Sequence, residues 1–257
     1  MRTAARIRPK NKSELAKMRE SGRIVGEILA AVGTMIKPGV TPLDLDEFAE
    51  AHIRSRGAKP SFKGYHGFPK SLCISVNDEV VHGIPGRRPL ASGDVVTVDC
   101  GAVLDGWHGD AARTYAVGTV EPESLELLRV CEGALMAGVA EMRPSRKLGD
   151  VSKAVEAFVK RESAFSVVRQ YVGHGIGRAL HEEPQVPNYY EQGFPFSELV
   201  LEVGHVFAIE PMVNAGTHDV RVLDDLWTVV TADGRRSAHF EHTVAVTEDG
   251  PQLLTLP

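Results

Sequence analysis

Two aspartates flank a predicted β-hairpin in the middle of the chain. Residues 94–99 have a strand pattern, Asp105-Gly106 supplies a two-residue hairpin turn, and Asp110 follows that turn at nearly the distance at which Asp99 precedes it. Side chains so spaced lie on one face of adjacent antiparallel strands, directly or diagonally opposite each other. Two like charges there destabilise the hairpin unless they reach water or a cation lies between them.

The second half of the chain carries three more groups that could bind a cation. An apolar run, residues 206–209, ends in Glu210, and Glu241 lies within another strand pattern. His174 lies between Gly173 and Gly175, where the backbone can approach a neighbour closely. The alternative for each glutamate is a salt bridge to a distant arginine, and for His174 it is a hydrogen-bonded core histidine.

Together these groups form an oxygen-rich set with a single nitrogen, which favours two divalent ions with bridging carboxylates over one tetrahedral zinc. Such ligands suit Mn, Fe or Co at least as well as Zn. The glycine-rich run lacks the spacing of a phosphate-binding loop. The segment that begins at His181 reads His-Glu-Glu-Pro and is not the H-E-x-x-H motif of a single-zinc protease.

The elements that position these groups follow from hydrophobic spacing and helix end signals. The sequence predicts helices over 12–36, 41–57, 121–142 and 150–161, with strands between residues 71 and 117. At a constant offset of 106 positions, Lys37-Pro38 matches Arg143-Pro144 and Asp44 matches Asp150. This weak duplication predicts an α+β fold whose two halves, residues 12–120 and 121–257, share one sheet core within a single domain.

Composition narrows the class of protein. With 257 residues, of which 43% are hydrophobic, the chain can bury a core without disulfides, and its net charge of −5 argues against a nucleic-acid-binding domain. Three scattered cysteines indicate a reducing compartment, and the chain has no apolar run long enough for a membrane span. Residues 1–11 are predicted to be a solvated basic tail rather than a secretory signal.

Several segments, in order, resemble the type I methionine aminopeptidases, metallopeptidases of the pita-bread fold, over nearly the whole chain from about residue 12. The matching stretches are residues 64–69, 75–77, 81–85, Asp99 with Asp110, 173–186, 209–216, 227–228 and 241–243. The resemblance implies two pseudo-symmetric α+β halves around a curved antiparallel sheet. It also implies removal of the N-terminal, initiator methionine from nascent proteins whose second residue is small and uncharged.

The resemblance also implies the roles of individual residues. The expected metal ligands are Asp99, Asp110, His174, Glu210 and Glu241. Asp110 and Glu241 would bridge two ions (Co, Mn, Fe or Zn), and Glu210 would transfer the proton of the attacking water. His82 and His181 would contact the substrate as catalytic donors. The methionine pocket would be formed by Tyr65, Phe68, Cys73 and Trp227.

The chain departs from the family at Phe62, where small residues or cysteine are common, and at Leu180, where an aromatic residue is common. These two positions affect the shape of the pocket. The expected protein is a cytoplasmic monomer that acts on nascent N-termini, with the ribosome as a candidate partner and with neither a membrane nor a specific nucleic acid. The alternatives are a proline-directed or creatinase-like hydrolase of the same fold, a non-catalytic binding protein and a nucleotide-binding α/β protein.

Overall fold

The first half opens with two helices that begin at capping boxes. The computed structural model describes residues 7–257, with α1 at Lys12–Met35 and α2 at Pro42–Ser55. At α1, Asn11 Oδ1 accepts the Glu14 N–H and the Glu14 carboxylate accepts the Asn11 N–H; Thr41 and Asp44 repeat this at α2. These reciprocal bonds satisfy orphan donors of the first turn. Both predicted helices are confirmed, within two residues at each end.

The predicted hairpin is present. Strands β4 (Val95–Leu104) and β5 (Trp107–Ala116) pair antiparallel from Val95↔Ala116 to Leu104↔Trp107. The turn is Asp105-Gly106, with φ of 51° and 73°. Both angles lie in the left-handed region that a two-residue hairpin turn requires, which explains the Asp-Gly pair.

Two short strands pair with the other edge of β4. They are β1 (Lys59–Pro60) and β2 (Leu72–Val76). The apolar faces of α1 and α2 pack on this sheet through residues such as Ile28, Leu45, Ile74 and Val98, all of which are buried. The result is a hydrophobic core that belongs to the first half.

The second half repeats the order of helices followed by sheet. Helices α3 (Pro122–Ala140) and α4 (Leu148–Glu162) confirm the predicted pair. They pack on five antiparallel strands, which lie in the order Gly250–Leu253, His242–Thr247, Val206–Ile209, Gly173–Gly175 and Glu182–Val186. Strands are numbered in chain order, so these five are β15, β14, β9, β7 and β8, respectively. No helix within residues 7–257 is long and apolar enough to cross a membrane.

Six further strands form two three-stranded antiparallel sheets. One has the order β11 (Val220–Val222), β12 (Val229–Thr231) and β3 (Glu79–Val81), so it joins the two halves. The other has the order β13 (Ser237–His239), β10 (Met212–Asn214) and β6 (Ser166–Val167). Helices and antiparallel sheets thus alternate along the chain, which confirms the α+β prediction.

The two halves also meet through hydrogen bonds between β5 and the strands around β14. Thr243 Oγ1 accepts the Asp110 N–H at 3.0 Å and donates to the Asp110 carbonyl at 2.8 Å. The Glu241 N–H donates to the Ala112 carbonyl at 2.9 Å. We call the contact of β5 with residues 239–243 the seam. It joins a strand of the first half to a segment of the second half.

The basic N-terminal tail predicted for residues 1–11 lies partly outside the described residues. Of its described part, Ile7 packs against the core of the second half, and the Lys10 N–H donates to the Gly204 carbonyl at 2.7 Å. Residues 7–10 therefore run along the second half before α1 begins at Lys12 in the first half.

Candidate metal centre and substrate pocket

Asp99 and Asp110 are diagonal neighbours on one face of the hairpin. Asp99 pairs with Ala112, and Asp110 pairs with Gly101, so each aspartate lies two positions from the other's partner. Side chains two residues apart on a strand share a face. The predicted diagonal placement is confirmed, and it rests on the Asp-Gly turn and the strand period alone.

The second half brings His174, Glu210 and Glu241 to the same place. His174 lies on β7 opposite Ala208 of β9, and Glu210 directly follows the last residue of β9. Glu241 directly precedes β14, whose first residue, His242, pairs with Ile209. Ends of neighbouring strands meet at the same edge of the sheet, and this places all three groups against the hairpin at the seam.

The geometry of this cluster leaves room for a cation. One ligand atom from each of Asp110, His174 and Glu241 lies within 4.8 Å of the others, and all three residues are buried. His174 Nε2 is 3.5 Å from Glu210 Oε1. Within residues 7–257, no hydrogen-bond donor reaches Asp99 Oδ1, Asp110 Oδ1 or Glu241 Oε1, although each of these atoms is buried.

The carboxylates of this cluster need positive charge beside them in order to ionise. Burial raises the pKa of Asp99 to about 8, and burial together with neighbouring carboxylates raises the pKa of Asp110, Glu210 and Glu241 well above their usual range. An unpaired buried carboxylate is costly, and four beside one another cannot all ionise without a counter-ion. Divalent ions would supply that charge and bind the orphaned oxygens, so the residues present fit a metal centre.

His174 is oriented as a metal ligand would be. Its Nδ1 lies 2.9 Å from its neighbour's carbonyl, Gly175 O, so Nδ1 carries the proton and Nε2 keeps a lone pair toward the carboxylates. Burial lowers the pKa of His174 to about 3, which keeps the imidazole neutral. A neutral imidazole with a fixed tautomer is the form that binds divalent ions.

A cavity of about 280 Å³ opens beside the carboxylates. Its apolar wall includes the four residues of the expected methionine pocket: Tyr65, Phe68, Cys73 and Trp227. The Phe68 and Trp227 rings meet edge to face, with centroids 5.1 Å apart. Cys73 pairs with Asp99 across β2 and β4, so the apolar wall adjoins the acidic cluster directly.

The two positions at which the chain departs from the family also line this cavity. Phe62 and Leu180 are buried, with exposed fractions of 8% and 3%. A Cβ added at Gly101 would lie 2.7 Å from the Phe62 ring, so the bulky side chain is accommodated by glycine on the neighbouring strand. Both residues narrow the cavity with apolar surface.

His82 and His181 lie at the mouth of the same cavity. Burial lowers the pKa of His82 to about 4, and its backbone is held at φ of 60°, an uncommon conformation that is frequent at functional sites. The His181 ring lies 4.3 Å from the ring of His174, and its Nδ1 is 2.8 Å from the Tyr65 hydroxyl. Burial lowers the pKa of His181 as well, so both rings are neutral at pH 7 and line the cavity that the carboxylates share.

His239 is a residue of the site that the sequence reasoning missed. It is fully buried on β13, its Nε2 lies 3.6 Å from Glu210 Oε2, and neither ring nitrogen has a hydrogen-bond partner among the described residues. A usable signal was the spacing of His239 from Glu241, because residues two apart on an extended segment share a face. Phe240 between them points into the core of the second half, which fits this alternation.

Comparison with known proteins gives one family model and many relatives. The model "Metallopeptidase family M24" matches residues 16–248. Methionine aminopeptidase 1 of Bacillus subtilis is 51% identical over 246 residues, covering 96% of this chain and 98% of that protein. Methionine aminopeptidase of Clostridium perfringens is 49% identical over 247 residues, covering 96% and 98%.

Solved structures agree with this result. The methionine aminopeptidase from Thermotoga maritima superposes with a TM-score of 0.94 at 44% identity, covering 98% of this chain and 100% of that one. The prolidase from Pyrococcus furiosus superposes with a TM-score of 0.77 at 22% identity, covering 98% of this chain but 66% of that one. The second likeness shows a shared fold alone, and together they confirm the predicted fold class.

Proposed function

The chain belongs to metallopeptidase family M24, and on that premise we propose that it removes the N-terminal methionine from nascent proteins, using two divalent ions. One observation carries the proposal: Asp99, Asp110 and Glu241, each with an orphaned buried oxygen, line the same cavity as the aromatic pair Phe68 and Trp227. A cation site next to an apolar pocket suits a substrate with a free amino group and a thioether side chain.

The ions would be bound by Asp99, Asp110, His174, Glu210 and Glu241. Two ions fit better than one because four carboxylates supply the charge to balance them, and Mn, Fe, Co and Zn all accept such ligands. Bound there, the ions would supply a nucleophile at neutral pH and polarise the scissile carbonyl. The α-amino group of the substrate would be bound at the same centre, which restricts cleavage to the first peptide bond.

The protein's own side chains carry the proton and position the peptide. Glu210 lies between His174 and His239, at 3.5 and 3.6 Å, and would accept a proton from water and pass it to the leaving amine. His82 and His181 would donate hydrogen bonds to the peptide carbonyl as negative charge develops on its oxygen. Burial lowers the pKa of each imidazole, so both rings are neutral and would donate these hydrogen bonds without bearing a charge.

Specificity for the first residue would come from the apolar wall. A methionine side chain packs well against aromatic rings and a thiol, because its thioether is flexible and polarisable. Tyr65, Phe68, Cys73 and Trp227 supply these surfaces, and Phe62 and Leu180 limit the depth of the cavity. One extra branch or methylene in such a pocket changes binding by about 1–3 kcal/mol, so leucine would be cleaved slowly rather than refused.

We extend the proposal to the partners of the reaction. The substrate is the emerging N-terminus of a new polypeptide whose second residue is small and uncharged, so the ribosome is the place where enzyme and substrate would meet. The chain would act there as a cytoplasmic monomer. These statements rest on the family and on no contact within residues 7–257.

The test is a set of tetrapeptides offered to metal-free protein loaded with Mn²⁺ or Co²⁺. Met-Ala-Ser-Lys should be cleaved fastest, Leu-Ala-Ser-Lys about 10-fold or more slowly, and Met-Leu-Ser-Lys least. The dipeptide Ala-Pro tests the prolidase alternative. Faster cleavage of Ala-Pro than of Met-Ala-Ser-Lys, or a preference for leucine over methionine at the first position, would overturn the assignment.

A further inference from the structure

The segment before α1 contacts a loop of the candidate site, residues 177–182. Lys10 Nζ lies 2.9 Å from Glu182 Oε2, and the Lys10 side chain is only 8% exposed although lysine is rarely buried. Its aliphatic stem lies over Gly177, where an added Cβ would be 2.8 Å from Lys10 Cε. The backbone of Lys10 is fixed as well, by its bond to the Gly204 carbonyl.

Glu182 uses both carboxylate oxygens to hold this loop. Oε2 binds Lys10, while Oε1 accepts the N–H groups of Arg178 at 2.7 Å and Ala179 at 3.2 Å. Burial would raise the pKa of Glu182, but these contacts outweigh burial and lower it, so the carboxylate is charged at neutral pH. A charged acceptor strengthens each of its hydrogen bonds.

The other side of the loop is fixed to the tip of the hairpin. The Arg178 guanidinium lies 4.1 Å from the Trp107 ring and donates to the carbonyls of Asp105 and Gly106. The His108 N–H donates to the Gly177 carbonyl at 2.9 Å. The contact of Lys10 with Glu182 therefore fixes the side of the loop that the hairpin does not reach.

His181 is carried on this loop, directly before Glu182. Its ring is held at the mouth of the cavity by the Tyr65 hydroxyl at 2.8 Å and lies 4.3 Å from the His174 ring. A hydrogen-bond donor must lie within a few tenths of an ångström of its working position, and a displacement of about 1 Å can cost up to 100-fold in rate. The ion pair next to His181 in the chain thus acts on a group that faces the substrate.

We propose that Lys10 is a positioning residue, which holds the loop of residues 177–182 through Glu182 and thereby places His181 for the reaction. The proposal rests on the proposed function, because it assigns His181 a contact with the peptide. It gives residues 7–10 a role in the site, whereas their basic composition alone indicates a solvated tail.

The experiment compares Lys10→Met, Lys10→Arg and the matched control Lys12→Met, an exposed lysine in the first turn of α1. With Met-Ala-Ser-Lys, Lys10→Met should lower kcat about 10-fold and leave KM within about twofold, because binding of the methionine side chain is unchanged. Lys10→Arg should keep at least about half of kcat, since it restores the charge. Lys12→Met should behave as wild type.

Glu182→Gln supplies a second variant and a coupling test. Alone it should lower kcat about as much as Lys10→Met, and the double variant should be no worse than either, because both remove one ion pair. Metal affinity measured by calorimetry should not change in any variant, which separates this effect from damage to the ligands. Failure of the wild-type protein to cleave the peptide contradicts the proposed function instead.

The proposal is overturned if Lys10→Met keeps kcat within twofold of wild type. It is equally overturned if Lys10→Arg loses as much kcat as Lys10→Met, or if the two effects add in the double variant. Should Lys10→Met fail to fold, Glu182→Gln decides alone, and an unchanged kcat in that variant contradicts the proposal.

Discussion

The buried carboxylate of Asp99 should make the metal-free protein less stable, relative to a variant without it, as the pH rises from 5 to 7. The pKa of Asp99 is about 8 in the folded chain and 3.8 when unperturbed, because its carboxylate is buried with no counter-ion. Between those two values the folded state keeps a proton that the unfolded state has released, so the free energy of unfolding falls with rising pH. One such group changes it by about 1.4 kcal/mol per pH unit, or about 3 kcal/mol from pH 5 to 7.

The other carboxylates act in the same direction, since burial also raises the pKa of Asp110, Glu210 and Glu241. Histidines whose pKa is lowered by burial, such as His82 and His174, act in the opposite direction below about pH 6.5, so the contribution of Asp99 is read from a variant. For a chain of this size, 3 kcal/mol corresponds to a fall in Tm of roughly 6–12 °C. Urea unfolding in chelator, followed by circular dichroism at pH 5, 6 and 7, measures the slope. Loading with Mn²⁺ should abolish the contribution of the carboxylates, because their charged forms are then compensated.

The matched variants are Asp99→Asn, which removes the buried charge, and Asp105→Asn, which removes an exposed one at the tip of the same hairpin. Asp99→Asn should shift the slope of the metal-free protein in the positive direction by about 1.4 kcal/mol per pH unit, and Asp105→Asn should leave it unchanged. An unchanged slope in Asp99→Asn would refute the reasoning, as would an equal change in Asp105→Asn.

Three further predictions concern the site itself. Asp110→Asn should keep the native circular dichroism spectrum, bind about one ion instead of two in metal analysis and lose most activity, so full occupancy with normal turnover would remove it from the ligand set. His181→Ala should lower kcat at least about 10-fold and change KM little, because its hydrogen bond strengthens in the transition state; an unchanged kcat with weak binding would assign it to substrate binding alone. His239→Leu should weaken Mn²⁺ binding about 10-fold in calorimetry, and His239→Gln should restore most of it by donating to Glu210; equal affinities in all three proteins would contradict this.

Local chemistry made the hairpin and the helices predictable. The Asp105-Gly106 turn fixes the register of β4 and β5, and the register fixes that Asp99 and Asp110 share a face. Helix ends were predictable for the same reason, since caps such as Thr41 with Pro42 act within one turn. Each of these signals lies within a few residues of the feature that it determines.

Contacts between distant segments were not predictable in this way. His239 has no local partner, and its place beside Glu210 depends on how β13 pairs with β10. Lys10 and Glu182 are 172 positions apart, and a basic residue near the terminus gives no sign of an acidic partner so far along the chain. The resemblance to a family supplied the expected ligands, but departures and supporting contacts specific to this chain required coordinates.

The four carboxylates of the acidic cluster lie on both sides of the seam. Asp99 and Asp110 belong to the first half, whereas Glu210 and Glu241 belong to the second, so like charges oppose each other across the seam. The seam carries its own neutral hydrogen bonds, from Asp110 N–H to Thr243 and from Glu241 N–H to Ala112. Those bonds hold the halves together without an ion, and a cation bound by carboxylates of both halves would cross-link them further.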